Sequence, residues 1–228
     1  MKINRATLAT CQSATDLVVA IDVLRAFTTA AYLFHAGVVE IILVSGIQEA
    51  FNLRNQMPDC LLAGEVKGVK IPEFDLGNSS ANIDVGKVKG KRIIQRTSSG
   101  TQGVVLAINA TTILTAALTN VTATLRYIQR ANPESVTFIQ TGLYPEDGWG
   151  DEDVACADTI ESLWLGQPVD WQKITERVRN SRAGTLFDGS RVDFPVEDLE
   201  LALQVDRFNF AMVVEKRNNL HILHRVDS

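Results

Sequence analysis

Six short apolar runs, at 17–22, 38–44, 60–63, 92–96, 112–117 and 136–140, alternate with helix-length amphipathic segments at 25–36, 47–56, 101–109 and 121–131. Continuous apolar runs of this length read as strands buried on both faces. Their alternation with helices predicts an α/β fold of three layers, α/β/α, around a mixed, largely parallel sheet. The stretch 64–90, rich in Gly, Lys, Asp and Asn, breaks the alternation and is expected as an ordered loop excursion.

After Gly142 the texture changes. Leu143 to Gly150 is turn-rich, and helices are expected at 151–165, 170–179 and 195–204. The tail reads as two strands around an Asn218-Asn219 turn. The turn-rich stretch is a candidate break near 142–150 between two closely packed subdomains, within one unit spanning 1–228. The connection is too short for a free linker.

Composition bounds the function. With 46% hydrophobic residues in 228, the chain can bury a sizeable core. A net charge of -5 disfavours a polyanion-binding surface, so no nucleic-acid partner is expected. No run approaches the roughly 18 apolar residues of a membrane-spanning helix. The polar N-terminus lacks a leader's apolar segment, and a cytoplasmic protein is expected. Cys11, Cys60 and Cys156, odd in number and widely spaced, read as reduced thiols. A homodimer is the expected oligomer, being the commonest symmetric form, with the hairpin 208–225 as its candidate surface.

Ligands of open α/β sheets bind beyond the carboxyl ends of the strands. Several polar clusters sit at such positions. Asp22 ends an apolar run and is followed by Arg25, Thr28 and Thr29. Glu65 ends another, with Lys67 and Lys70 close behind. Asn78 and Ser79 lie in a run of turn formers. Thr97, Ser98, Ser99, Gly100 and Thr101 open a helix without the lysine or spacing of a P-loop. Glu152 and Asp153 lie in an acidic first helical turn. Each has a plain structural reading too: Asp22 as a cap paired with Arg25, the acids at 151–153 as partners of the helix dipole. Together, carboxylates suit a hard divalent cation such as Mg²⁺, and the arginine, hydroxyls and glycines suit an oxyanion. That combination serves metal-assisted chemistry on a small phosphorylated anion.

The ordered blocks DVLRAFTT, LLAGE, FDLGNSS, TSSGT and GDEDVACAD resemble the 2-phosphosulfolactate phosphatase family over residues 16–165. The resemblance implies a Mg²⁺-dependent phosphatase that converts 2-phosphosulfolactate, or a related small phosphorylated acid, to phosphate and the free acid, in the family's case within coenzyme M biosynthesis. It implies Asp22, Arg25 and Glu65 as the catalytic set. Asp22 and Glu65, joined by Glu152 and Asp153, would be the metal ligands. Asn78, Ser79, Ser98, Gly100 and Thr101 would line the anion pocket, with Thr28, Thr29, Thr97 and Ser99 as further substrate-binding candidates. Asp22 and a metal-activated water both stand as nucleophile. Phe27 and Ser99 depart from the family's usual residues and motivate a second reading, a noncatalytic small-anion binder that keeps the pocket.

Overall fold

The computed structural model of the protein describes residues 1–227. In chain order the elements are β1 (Lys2–Ala6), β2 (Asp16–Ile21), α1 (Ala26–His35), β3 (Glu40–Val44), α2 (Ile47–Gln56), β4 (Leu61–Val66), β5 (Val69–Lys70), α3 (Val85–Val88) and β6 (Arg92–Arg96). There follow α4 (Gly100–Leu106), β7 (Ala110–Ala116), α5 (Val121–Ala131), β8 (Ser135–Gln140), α6 (Asp151–Trp164), α7 (Trp171–Asn180), α8 (Val196–Ala202), β9 (Phe210–Arg217) and β10 (Leu220–Asp227). None of the described helices is long and apolar enough to cross a membrane.

The ten strands form one sheet in the order β1-β8-β2-β7-β9-β10-β3-β6-β4-β5. Two parallel blocks, β1-β8-β2-β7 and β3-β6-β4, flank the β9–β10 hairpin. The hairpin is antiparallel to both and within itself. Three successive reversals therefore make the two blocks run in opposite directions. In a flat sheet their carboxyl ends would lie on opposite edges.

The sheet is not flat. β2 and β3 stand four strands apart, about 19 Å along a flat sheet, yet α4 touches both. Strand-to-strand twist accumulated over β7, β9, β10 and β3 curls the sheet around α1 and α4. One core cluster accordingly joins Val18 and Ala20 of β2, Ile41 and Leu43 of β3 and Ile93 of β6 to Phe27, Phe34 and Val104. The strands' other faces pack outward. Leu17, Val19 and Ile21 meet α5 and α6, while Ile42, Val44, Leu62 and Ile94 meet α2. This period-two division produces the α/β/α layering expected from the sequence.

Several expectations are refined. Lys2–Ala6 is a strand that its polar sequence hides, because it is an edge strand with one neighbour, β8. The excursion 64–90 contains the short β5 and α3. The tail does turn at Asn218 and Asn219, with φ of 53° and 62°, the left-handed pair of a tight hairpin. It sits in the middle of the sheet, however, where β7 and β3 pair its two outer edges. Those edges offer no free ladder to a second chain.

The segment after α7 is tied to the sheet through Arg25, 5% exposed, and Asp198, 1% exposed. Arg25 Nη1 donates to Asp198 Oδ2 at 2.9 Å and to the Asp193 carbonyl at 2.8 Å; its Nη2 donates to the Gly68 carbonyl at 2.8 Å. Asp198 Oδ1 accepts from Ser79 Oγ at 3.0 Å and from the Ala81 N–H at 2.9 Å. The rings of Phe187 and Phe194 lie 5.3 and 4.9 Å from the guanidinium. Asp198→Ala leaves this buried cation unpaired and is expected to cost about 3–5 kcal/mol, read as a lowered urea midpoint. A loss below about 1 kcal/mol would mean the pair behaves as a surface ion pair and does not hold the segment.

Candidate active site

The curl brings the carboxyl ends of both parallel blocks to one cavity of about 520 Å³. Asp22 follows β2, Gly142 lies just beyond β8, Glu65 stands near the end of β4, and Ser98 and Ser99 follow β6. Glu152 and Asp153 enter from the first turn of α6. Asp147, Tyr144 and Trp149 come from the loop before α6. Ala183, Leu186, Phe187 and Phe194 form an apolar wall from the segment between α7 and α8.

The carboxylates are buried and individually held. Asp22 Oδ1 accepts the Ala26 N–H at 2.9 Å, and Oδ2 lies 3.4 Å from Thr141 Oγ1. Burial, reinforced by the charge of Glu65, pushes Asp22 up to about 6. Glu65 Oε1 accepts from the Ser98 N–H and Oε2 from the Gly68 N–H, both at 2.5 Å, with Ser98 Oγ 3.2 Å from Oε2. Asp153 bridges two strand ends, accepting from the Val23 N–H at 2.9 Å and the Gly142 N–H at 2.8 Å. Burial and then the charges of Glu152 and Asp22 raise it well above the usual carboxylate range. Glu152 is the exception in its bonding. Its Oε2 is buried with no hydrogen-bond partner. Burial and the charge of Asp22 push it up to about 7.

Two glycines make the close approaches. A Cβ on Gly100 would lie 2.7 Å from Asp22 Oδ2 and 2.5 Å from Ala26 Cβ. Gly64, at φ +153°, passes so near β6 that a Cβ would fall 2.0 Å from the Arg96 carbonyl oxygen. Only glycine lets β4 run there and deliver Glu65 to the cavity.

The sequence candidates divide by position. Asp22, Arg25, Glu65, Asn78, Ser98, Ser99, Glu152 and Asp153 all line the cavity. Gly100 abuts Asp22. The remaining hydroxyls are engaged outside the lining. Thr28 Oγ1 donates to the Val23 carbonyl at 2.7 Å, Thr29 meets Ser80, and Ser79 donates to Asp198. Thr97 and Thr101 cap one another, the N–H of each donating to the other's Oγ1. The dense donors of the 97–101 loop thus do hold anions, but the protein's own: Ser98 is bonded to Glu65, and Gly100 backs onto Asp22. Asp151 turns away to Arg177. Phe27 is fully buried among the α1 core residues and does not line the cavity, so that departure leaves the site's chemistry untouched. The three cysteines are free and buried.

Sequence reading missed Trp149, Phe187 and Phe194. Isolated aromatics in turn-rich segments carry no periodic signal, and a cation binds each by its face: Arg182 over Trp149 at 4.5 Å, Arg25 over the two phenylalanines. Among the described residues no three His, Cys, Asp or Glu side chains form a ready-made cation cage.

Comparison with known proteins agrees with this architecture. Residues 4–217 match the family model described as 2-phosphosulpholactate phosphatase. A "Probable 2-phosphosulfolactate phosphatase" of Bacillus subtilis (strain 168) is 32% identical over 213 residues, covering 92% of each chain. One of Carboxydothermus hydrogenoformans is 38% identical over 209 residues, covering 90% of this chain and 83% of that one. Another, of Deinococcus radiodurans, is 38% identical over 152 residues, 66% of this chain and 62% of that protein. The chain belongs to the 2-phosphosulpholactate phosphatase family.

Proposed function

We propose that the protein is a Mg²⁺-dependent phosphatase that hydrolyses the phosphate monoester of a small organic acid, 2-phosphosulfolactate or a close relative. The observation that carries this reading is Glu152, which lines the same cavity as Asp22, feels its charge, and keeps a buried Oε2 without a hydrogen-bond partner. Two buried carboxylates that feel one another's charge repel unless a proton or a cation intervenes. Mg²⁺ is commonly held by one or two carboxylates, with waters and substrate phosphate completing its shell. Asp22 and Glu152 fit that donor set, and Glu65 stands beside them. When bound, the metal would neutralise the carboxylates' charge and polarise a phosphoryl oxygen.

The chain's own groups do the rest. Asp22 is oriented by the Ala26 N–H and cannot swing away. Glu65 is fixed by three donors from Ser98 and Gly68. Asp153 spans Val23 and Gly142 and so locks the two strand ends at the spacing the cavity needs. Glu152, at about 7, can hold or release a proton near neutral pH. The apolar wall of Leu186, Phe187 and Phe194 limits water at the far side.

Phosphate release from a panel of small phosphorylated acids, with and without Mg²⁺, tests the reading. Asp22→Asn is expected to lower kcat/KM by at least about 100-fold while the protein stays folded. Full Mg²⁺-dependent turnover in that variant would overturn the assignment of Asp22. Ligand stabilisation without phosphate release from any substrate would favour the noncatalytic binder instead.

The raised acids also set a pH dependence. Asp22 and Glu152 move from ordinary values of 3.8 and 4.5 to about 6 and about 7 in the fold. Their protonated forms are thus favoured by folding. Metal-free stability is greatest below the ordinary values, falls as the pH rises through 6 to 7, and then levels. The melting temperature without divalent cation is expected to drop by several degrees between pH 4 and pH 8 on account of these two groups, and saturating Mg²⁺ is expected to restore it at pH 8. Glu152→Gln should weaken both the drop and the rescue. A Mg²⁺ shift equal in wild type and Glu152→Gln would remove Glu152 from the metal site.

A further inference from the structure

The cavity's fixed charges are strongly one-sided. Among its described lining residues, five are acids, Asp22, Glu65, Asp147, Glu152 and Asp153, and two are cations, Arg25 and Lys67. Arg25 already donates to three protein acceptors and is faced by two aromatic rings. Lys67 has no carboxylate within ion-pair distance among the described residues. It is the cation left over for a ligand.

Its placement is built. Lys67 and Gly68, at φ 53° and 84°, form the two-residue turn between β4 and β5. The Lys67 N–H donates to Ser98 Oγ at 3.0 Å, the Gly68 N–H to Glu65 Oε2 at 2.5 Å, and the Gly68 carbonyl accepts from Arg25 at 2.8 Å. Phe194 closes the remaining side, where a Cβ on Gly68 would come within 2.3 Å of its ring. The turn is pinned on four sides, so Lys67, itself exposed to solvent, lines the cavity from a fixed backbone. The lysine stem is flexible, and its ammonium is a compact point charge that suits carboxylate or sulfonate without demanding one geometry.

We infer that Lys67 is a specificity residue: it binds the second anionic group, carboxylate or sulfonate, of a phosphorylated acid whose phosphate lies toward Asp22 and Glu152. This rests on the phosphatase reading of the same cavity. It assigns the discrimination between phosphorylated acids and simple phosphate monoesters to one side chain.

Steady-state kinetics with 2-phosphosulfolactate and with phenyl phosphate, which has no second acid, tests the inference. In Lys67→Ala, KM for 2-phosphosulfolactate is expected to rise about tenfold more than KM for phenyl phosphate, the size of one charge-assisted hydrogen bond. Lys67→Arg should recover most of that difference. Equal changes for both substrates would overturn the inference and leave the phosphatase reading intact. A readout independent of turnover is calorimetric titration with sulfolactate, which has the acid groups and no phosphate. Lys67→Ala should bind it about tenfold more weakly. Equal binding by wild type and variant, or no binding by wild type, would overturn the inference. Lysine-dependent binding of sulfolactate with no hydrolysis of either ester would keep the subsite and remove the phosphatase reading.

Discussion

Burying like charges together is the constraint around which this molecule is arranged. Asp22, Glu65, Glu152 and Asp153 come from three separate segments, the last two from the first turn of α6, and are each nearly inaccessible to solvent. Taking a carboxylate from water is costly unless hydrogen bonds or a cation replace the lost hydration. The fold supplies backbone donors at almost every position: Ala26 for Asp22, Ser98 and Gly68 for Glu65, Val23 and Gly142 for Asp153. Of these four carboxylates only Glu152 keeps a buried oxygen without a partner, and Oδ1 of Asn78, which also lines the cavity, is unpartnered too. That imbalance distinguishes a site prepared for a ligand from a set of capping interactions.

Arg25 illustrates how one residue can satisfy two readings. Its position in the first cluster suggested an oxyanion ligand, and its guanidinium does line the cavity. Its donors nevertheless go to Asp198, Asp193 and Gly68, joining the start of α1 to the segment after α7 and to the β4–β5 turn. The planar fork of arginine serves such multi-acceptor joints better than lysine would. The aromatic wall of Phe187 and Phe194 is carried on that joint, so the shape of the cavity and the order of residues 187–198 depend on the same buried pair.

Much of the fold was legible in the chain. The apolar runs at 17–22, 38–44, 92–96, 112–117 and 136–140 fall on β2, β3, β6, β7 and β8, because strands buried on both faces need continuous apolar sequence. The tail hairpin was legible from its Asn-Asn turn. Strand β1 was not, since KINRA pairs along one edge only and needs little apolar surface. Eight of the candidate residues reach the cavity: Asp22, Glu65, Ser98 and Ser99 stand at or just past strand ends, Arg25 precedes α1, Asn78 lies in a loop, and Glu152 and Asp153 open α6. Thr28, Thr29, Ser79, Thr97 and Thr101 have the same residue chemistry but answer to nearer partners. Sequence cannot tell a hydroxyl that faces a ligand from one that caps its own loop.

Local periodicity and the limits on burying polar groups were enough to place the buried strands β2, β3, β4, β6, β7 and β8, the helices between them and the acids at their ends, but not the edge strand β1 or the short β5 and α3. Which strand ends meet was decided only by the tertiary structure. The central β9–β10 hairpin, made from the last part of the chain, reverses strand direction between the two parallel blocks, and the twist of the sheet then curls their carboxyl ends toward each other around α1 and α4. Asp22 and Glu65 are 43 residues apart in sequence, and their strands β2 and β4 are six positions apart in the sheet. Their sharing of one cavity is a property of the curvature, which no local pattern encodes.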